Sequence, residues 1–140
     1  MLKTIIQASE NFCIHQIREP YVISDVINKK RTLIAYIDIE AQDGKKHRVY
    51  IASDEDFMQR ISKLFLEEDE SDEDTLIDMT LETTNMIIGS AKVIAEEADE
   101  NPYTISTPHF EKIDHFDFAY DEAKIIKIEN DEMIIAIKEL

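Results

Sequence analysis

Leu2, Ile5, Ile6, Phe12, Cys13 and Ile17 recur at mostly helical intervals, which predicts a first helix that Pro20 ends. The period then changes. In "RTLIAYIDIE", Leu33, Ala35, Ile37 and Ile39 alternate with residues of the opposite face, the pattern of a strand. "KKHRVYIA" follows across Asp43–Gly44, so the two segments read as a hairpin. A shorter helix is predicted from Asp54 to about Leu66. A longer one runs from about Asp72 to Asp99, where "NPY" stops it. "YTISTPHF", "AKIIKIEN" and "EMIIAIKE" read as strands, the last two as a hairpin turning at Asn130–Asp131. The final segment reads as a buried or dimer-edge strand. Helix followed by strands recurs in each half. The expected fold class is α+β: a pseudo-two-fold arrangement of helices packed on a largely antiparallel sheet, in one domain over 1–140.

Composition narrows the chemistry. The formal net charge is −16 over 140 residues. Phosphate backbones and anionic membrane surfaces both select clustered Lys and Arg, so this balance argues against nucleic acid and membrane partners. No apolar run approaches the length of a bilayer span, and "MLKTIIQASENF" holds too short a run for a secretory signal. The expected location is the cytoplasm. The single cysteine, Cys13, can build neither an internal disulfide nor a thiolate metal site, and in an apolar helix it reads as core.

"EEDESDED", Glu67 to Asp74, lacks the glycine and the spaced final glutamate of a calcium loop. It reads as a solvated connector whose carboxylates favour the N-terminus of the long helix, with Ser71 or Asp72 positioned to cap it. The four histidines, including the pair in "HFEKIDHFD", which reads as a loop, match no common zinc spacing. No metal site is expected. With only Gly44 and Gly89 in the chain, the glycine-rich loops that cradle nucleotides are absent.

The long helix holds the most informative pattern. At 100° per residue, Asp78, Glu82, Asn85, Gly89, Lys92 and Glu96 fall on one stripe roughly 80° wide. Ile77, Leu81, Ile88, Ala91 and Ala95 form an apolar arc expected to face the core, and Met79, Met86 and Val93 flank the stripe on its other side. One reading of the stripe is an ordinary solvated face. The other is a docking surface, in which a carboxylate and an amide project side by side. One turn later Gly89 leaves backbone that a partner can approach closely.

Asp78, Glu82, Asn85 and Pro108 together match the pattern [DS]-x3-E-x2-N-x22-P, and this chain thereby resembles the CheC/CheX/FliY family of chemotaxis phosphatases. The first helix has Glu10 followed three residues later by Cys13 and not by asparagine, so a single site is implied, as in the CheX branch. The resemblance implies a CheX/CheC-like fold and a phosphatase that hydrolyses the aspartyl phosphate of the response regulator CheY. Glu82 and Asn85 would be the catalytic pair. Asn85 would orient the attacking water, and Glu82 would pair with the regulator's lysine. Asp78, Met86, Gly89 and Lys92 would contact the partner. Mg²⁺ is expected in the partner's active site, with no cofactor on this chain, and the branch implies a homodimer. Two alternatives stay open: a non-enzymatic adaptor that binds a response regulator or a flagellar switch component, and a dimeric structural protein with an acidic helix face.

Overall fold

A computed structural model describes residues 2–99 and 102–140. The elements in chain order are α1 (Leu2–Phe12), continued by one π-helical turn (Cys13–Ile17), then β1 (Val22–Ser24), β2 (Arg31–Ala41), β3 (Lys46–Asp54), α2 (Glu55–Leu66) and α3 (Glu73–Glu97). After them come β4 (Tyr103–Ile105), β5 (His109–His115), β6 (Glu122–Ile128) and β7 (Asp131–Glu139). The seven strands form one antiparallel sheet in the order β1-β6-β7-β3-β2-β4, with β5 also pairing β2. The three helices pack on one face of it, as the α+β expectation required.

The strand order is itself pseudo-two-fold. β3 and β7 pair at the centre, with β2 and β6 outside them. Each half then sends its first strand across to the other half's hairpin: β1 pairs β6, while β4 and β5 pair β2. Alternation along the central strands fills two layers. Leu33, Ile37, Ile39, Val49, Ile51, Met133 and Ile135 face the helices. Ile34, Tyr50, Ala52, Ile125, Ile134 and Ala136 face the other way, under Phe116, Phe118 and Ile27. "EMIIAIKE" is therefore a central strand, buried on both faces.

The hairpin at Asp43–Gly44 is present. It closes with the loop 42–45, in which Gly44 takes φ 86°, and Gly44 N–H donates to Ala41 O at 3.0 Å. The second hairpin turns one residue earlier than predicted. Glu129, at φ 56°, and Asn130 make the turn, and Asp131 already belongs to β7. Two strands escaped the pattern. β1 lies in a stretch with no clear alternation. β5 covers "HFEKIDH", which reads as a loop because it is rich in charge; as an edge strand it keeps those charges in solvent. The segment "YTISTPHF" is split at Ser106–Pro108, since Pro108 has no N–H to give a ladder. Of the "NPY" stop, Asn101 lies outside the described residues.

Two polar devices hold α2 and α3 in position. Asp54 ends β3 and caps α2, accepting from Phe57 N–H at 2.7 Å. The same carboxylate accepts from Glu132 N–H at 2.7 Å and from Lys30 Nζ at 3.2 Å. Burial pushes this carboxyl above its usual range, and the hydrogen bonds pull against that shift. In the acidic connector, Gln59 clamps the backbone of Ser71, receiving its N–H at 2.9 Å and donating to its carbonyl at 2.8 Å. Ser71 is thus buried, and Asp72 is the cap of α3, accepting from Thr75 N–H at 2.8 Å.

The buried side of α3 is not the arc that hydropathy indicated. Ile88, Ala91 and Ala95 are buried as expected, but Ile77 and Leu81 are half-exposed. Their place is taken by Leu76, Met79, Thr80, Thr83, Thr84 and Ile87. The threonines can be buried because their hydroxyls are satisfied locally. Thr80 donates to Leu76 O and Thr84 to Thr80 O, each at 2.7 Å, and Thr83 donates to Met58 Sδ at 3.9 Å. Among the described residues no helix is long and apolar enough to cross a membrane.

Asp54→Ala removes a cap and strips two further donors of their acceptor. It is expected to lower the unfolding free energy by about 2–4 kcal/mol in urea titration. A loss below about 0.5 kcal/mol would show that the Asp54 hub does not hold α2 to the sheet.

Candidate functional site

The stripe survives the correction and becomes better defined. The buried positions of α3 cover roughly half its circumference, and Asp78, Glu82, Asn85 and Gly89 are centred about 180° from the middle of that arc. Asp78, Glu82 and Asn85 are exposed, and none has a hydrogen-bond or ion-pair partner among the described residues. Glu82 and Asn85 are three residues apart, so they project as neighbours separated by about 4.5 Å along the axis. The backbone beneath them is helical on both sides for more than two turns. A carboxylate and a carboxamide are thereby held on a stiff support with their hydrogen-bonding capacity unspent.

Gly89 lies one turn beyond Asn85 and is half-buried. A Cβ placed on it would meet no heavy atom within 4 Å outside the helix's own backbone. Nothing among the described residues requires a glycine there, since its φ is ordinary and its surroundings are open. Lys92 closes the stripe. It is the only basic residue of α3, and its Nζ lies 3.9 Å from Glu96. Both line an open depression of ≈ 460 Å³ shared with Gln42 and Tyr103. Of the flanking residues, Met86 is half-buried and Val93 is exposed, while Met79 is in the core. Pro108 lies at the break between β4 and β5.

The corresponding position in the first half is built differently. α1 passes into the π turn at Cys13, closed by Arg18 N–H donating to Cys13 O at 2.7 Å with Arg18 at φ 62°. The wider turn brings both Cys13 and Ile17 into the core. Cys13 is fully buried, and burial together with nearby Glu10 pushes its thiol up to about 12. Glu10 accepts from Tyr21 Oη at 3.3 Å. Among the helices of the described residues, α3 alone presents an exposed acid–amide pair at this spacing.

One surface was not legible in the sequence. α1 packs along the Met86 side of α3, and between them lies an open groove of ≈ 420 Å³ lined on the α3 side by Met86, Ile87 and Ser90. Which helix neighbours which is a tertiary fact, so no local spacing announced it. The histidines do not converge. His15 is on the π turn, His47 on β3, and His109 and His115 at the two ends of β5. Among the described residues, no group of three or more His, Cys, Asp or Glu is placed to hold a metal ion.

The family model for chemotaxis phosphatase CheX matches residues 35–129. No curated protein sequence matches the chain. Among solved structures, CheX from Vibrio vulnificus is similar at a TM-score of 0.79 and 18% identity, over 99% of this chain and 98% of that one. The CheX–CheY–BeF3–Mg²⁺ complex from Borrelia burgdorferi is similar at 0.68 and 17%, over 99% and 97%. Thermotoga maritima FliY is similar at 0.59 and 15%, over 97% and 84%. At these identities the likeness is one of fold.

Because the space above Gly89 is open, Gly89→Ala is expected to stabilise the free protein by roughly 0.5–1 kcal/mol, the ordinary helix-propensity gain. The measurement is a higher urea midpoint at unchanged slope. A lower midpoint would mean that Gly89 meets a requirement of its own fold.

Proposed function

The chain belongs to the family of chemotaxis phosphatase CheX, and on that premise we propose that it hydrolyses the aspartyl phosphate of a CheY-type response regulator in the cytoplasm. The observation that carries this reading is the exposed, unpartnered pair Glu82 and Asn85 on the solvent side of α3. That a protein of the same fold was solved bound to CheY with BeF3 and Mg²⁺ supports the choice of partner.

The chemistry asks little of the protein beyond position. An acyl phosphate is already activated, and its hydrolysis needs a water in line behind phosphorus. The water oxygen bonds to phosphorus as the bond from phosphorus to the aspartyl oxygen breaks. The electron pair leaves with the aspartate carboxylate, and the water's protons pass to phosphate and solvent. The Asn85 amide can accept from that water or donate to it, and so fix its angle of attack without acting as a base. Glu82 pairs with the regulator's active-site lysine through a charge-assisted hydrogen bond, which sets the register of the two proteins. Mg²⁺ comes with the partner; this chain supplies no cofactor. Asp78, Met86, Gly89 and Lys92 contact the partner's rim, Gly89 by leaving room for close approach and Lys92 by meeting acidic groups. The domain, 1–140, works as a homodimer, as the family resemblance implies.

A second reading is a non-enzymatic adaptor of the same fold, which the loss of the equivalent pair in α1 favours. Decay of a phosphorylated CheY-type regulator separates the two. Asn85→Ala is expected to lower kcat by about a hundredfold with little change in KM. Glu82→Ala is expected to raise KM about tenfold as well, having removed a charged hydrogen bond. Co-sedimentation of wild type with the regulator at an unaltered decay rate would establish the adaptor instead.

A further inference from the structure

Resting on the reading above, we infer that the groove between α1 and α3 is the seat of an uncharged loop bordering the regulator's phosphoaspartate pocket. It thereby directs how the regulator lies across Asn85.

The groove opens on the Met86 side of the stripe, so anything bound at Asn85 overhangs it. Its floor is apolar, formed by Ala8, Phe12 and Ile87, all buried. Its rim carries Asn11, His15 and Ser90, side chains that can hydrogen-bond. Among the described residues, no carboxylate and no lysine or arginine lines it. That is unusual in this layer. α2 starts with Glu55 and Asp56, the connector Glu67–Asp74 has a single uncharged residue, and α3 carries acids at both ends.

The electrostatics choose the occupant. A phosphoaspartate pocket gathers a phosphoryl group and the carboxylates that hold its Mg²⁺, so its mouth is rich in negative charge. Such a surface is repelled by an acidic helical layer, and close like charges cost several kcal/mol at a docked interface. C-terminal to Asn85, α3 is free of carboxylates until Glu96 and offers Met86, Gly89, Ser90 and the cation Lys92. Asp78 and Glu82 lie on the N-terminal side of Asn85. The regulator can therefore bring its acidic mouth down only with its lysine toward Glu82 and its uncharged flank over the groove. An apolar floor with a polar rim suits a loop with one small apolar side chain and exposed backbone amides.

The test places a charge on the rim. Ser90 is exposed, so Ser90→Glu leaves the fold intact, which thermal unfolding checks. With a CheY-type regulator phosphorylated by acetyl phosphate, Ser90→Glu is expected to raise KM at least tenfold with kcat within twofold. Raising salt from about 0.05 to 0.5 M should recover much of the loss, because screening weakens the repulsion. The neutral Ser90→Gln should stay within threefold of wild type. Lys29→Gln makes the same one-unit change in net charge on the exposed segment between β1 and β2, outside the groove's lining, and should match wild type. Binding to the regulator loaded with beryllofluoride and Mg²⁺ should fall in parallel with the rise in KM. An unchanged KM for Ser90→Glu beside an active wild type overturns the groove alone. If wild type neither binds nor dephosphorylates the regulator, the proposed function and the groove fall together.

Discussion

The one-sided burial of α3 is the constraint on which the candidate site depends. A 25-residue helix that commits half its circumference to the sheet and to α1 must present the other half to solvent. The rotation of that helix is fixed by three buried threonines as much as by its aliphatic residues. Two return their hydroxyls to carbonyls one turn back and the third reaches Met58, so no polar atom is stranded. Turning the helix by one residue, about 100°, would carry Glu82 or Asn85 toward the buried side. An uncompensated carboxylate there would cost several kcal/mol. Core packing and an exposed acid–amide pair are therefore two consequences of one orientation.

The two halves share a plan and differ in what they do with it. Each gives its first strand to the other half's hairpin, so neither half can close its edge alone. The helices that lead each half have diverged. In α3 the regular helical register keeps acid and amide outward. In α1 the π turn places Cys13 and Ile17 in the core, and burial raises the thiol above its usual range. One half of the pseudo-symmetric frame is thus given over to packing, and it forms one wall of a groove beside the other half's pair.

Charge adds direction to that geometry. The chain carries −16 overall, and a long acidic connector leads into α3. Such a field favours partners with basic surface and penalises a partner whose own active site is anionic. Beyond Asn85, the acid thins out along α3 toward Lys92. The gradient along α3 gives an approaching protein a preferred direction, which a bare pair of side chains could not do.

Read alone, the sequence determined the class of fold, the Asp43–Gly44 hairpin, the Asp54–Leu66 helix and the stripe that joins Asp78, Glu82, Asn85 and Gly89. All of these depend on intervals of two, three or four residues, which backbone geometry translates directly into faces. It misplaced the buried arc of α3, because hydropathy scores threonine as polar and takes no account of a hydroxyl satisfied by its own helix. It missed β5, whose charges are acceptable at an edge, and turned the last hairpin one residue late. Only the tertiary structure decided that α1 lies along the Met86 side of α3, that Cys13 is sealed away and that a groove lined without carboxylate, lysine or arginine runs along Met86 and Ser90. Those are contacts between residues far apart in the chain, and no local period encodes which helix will be whose neighbour.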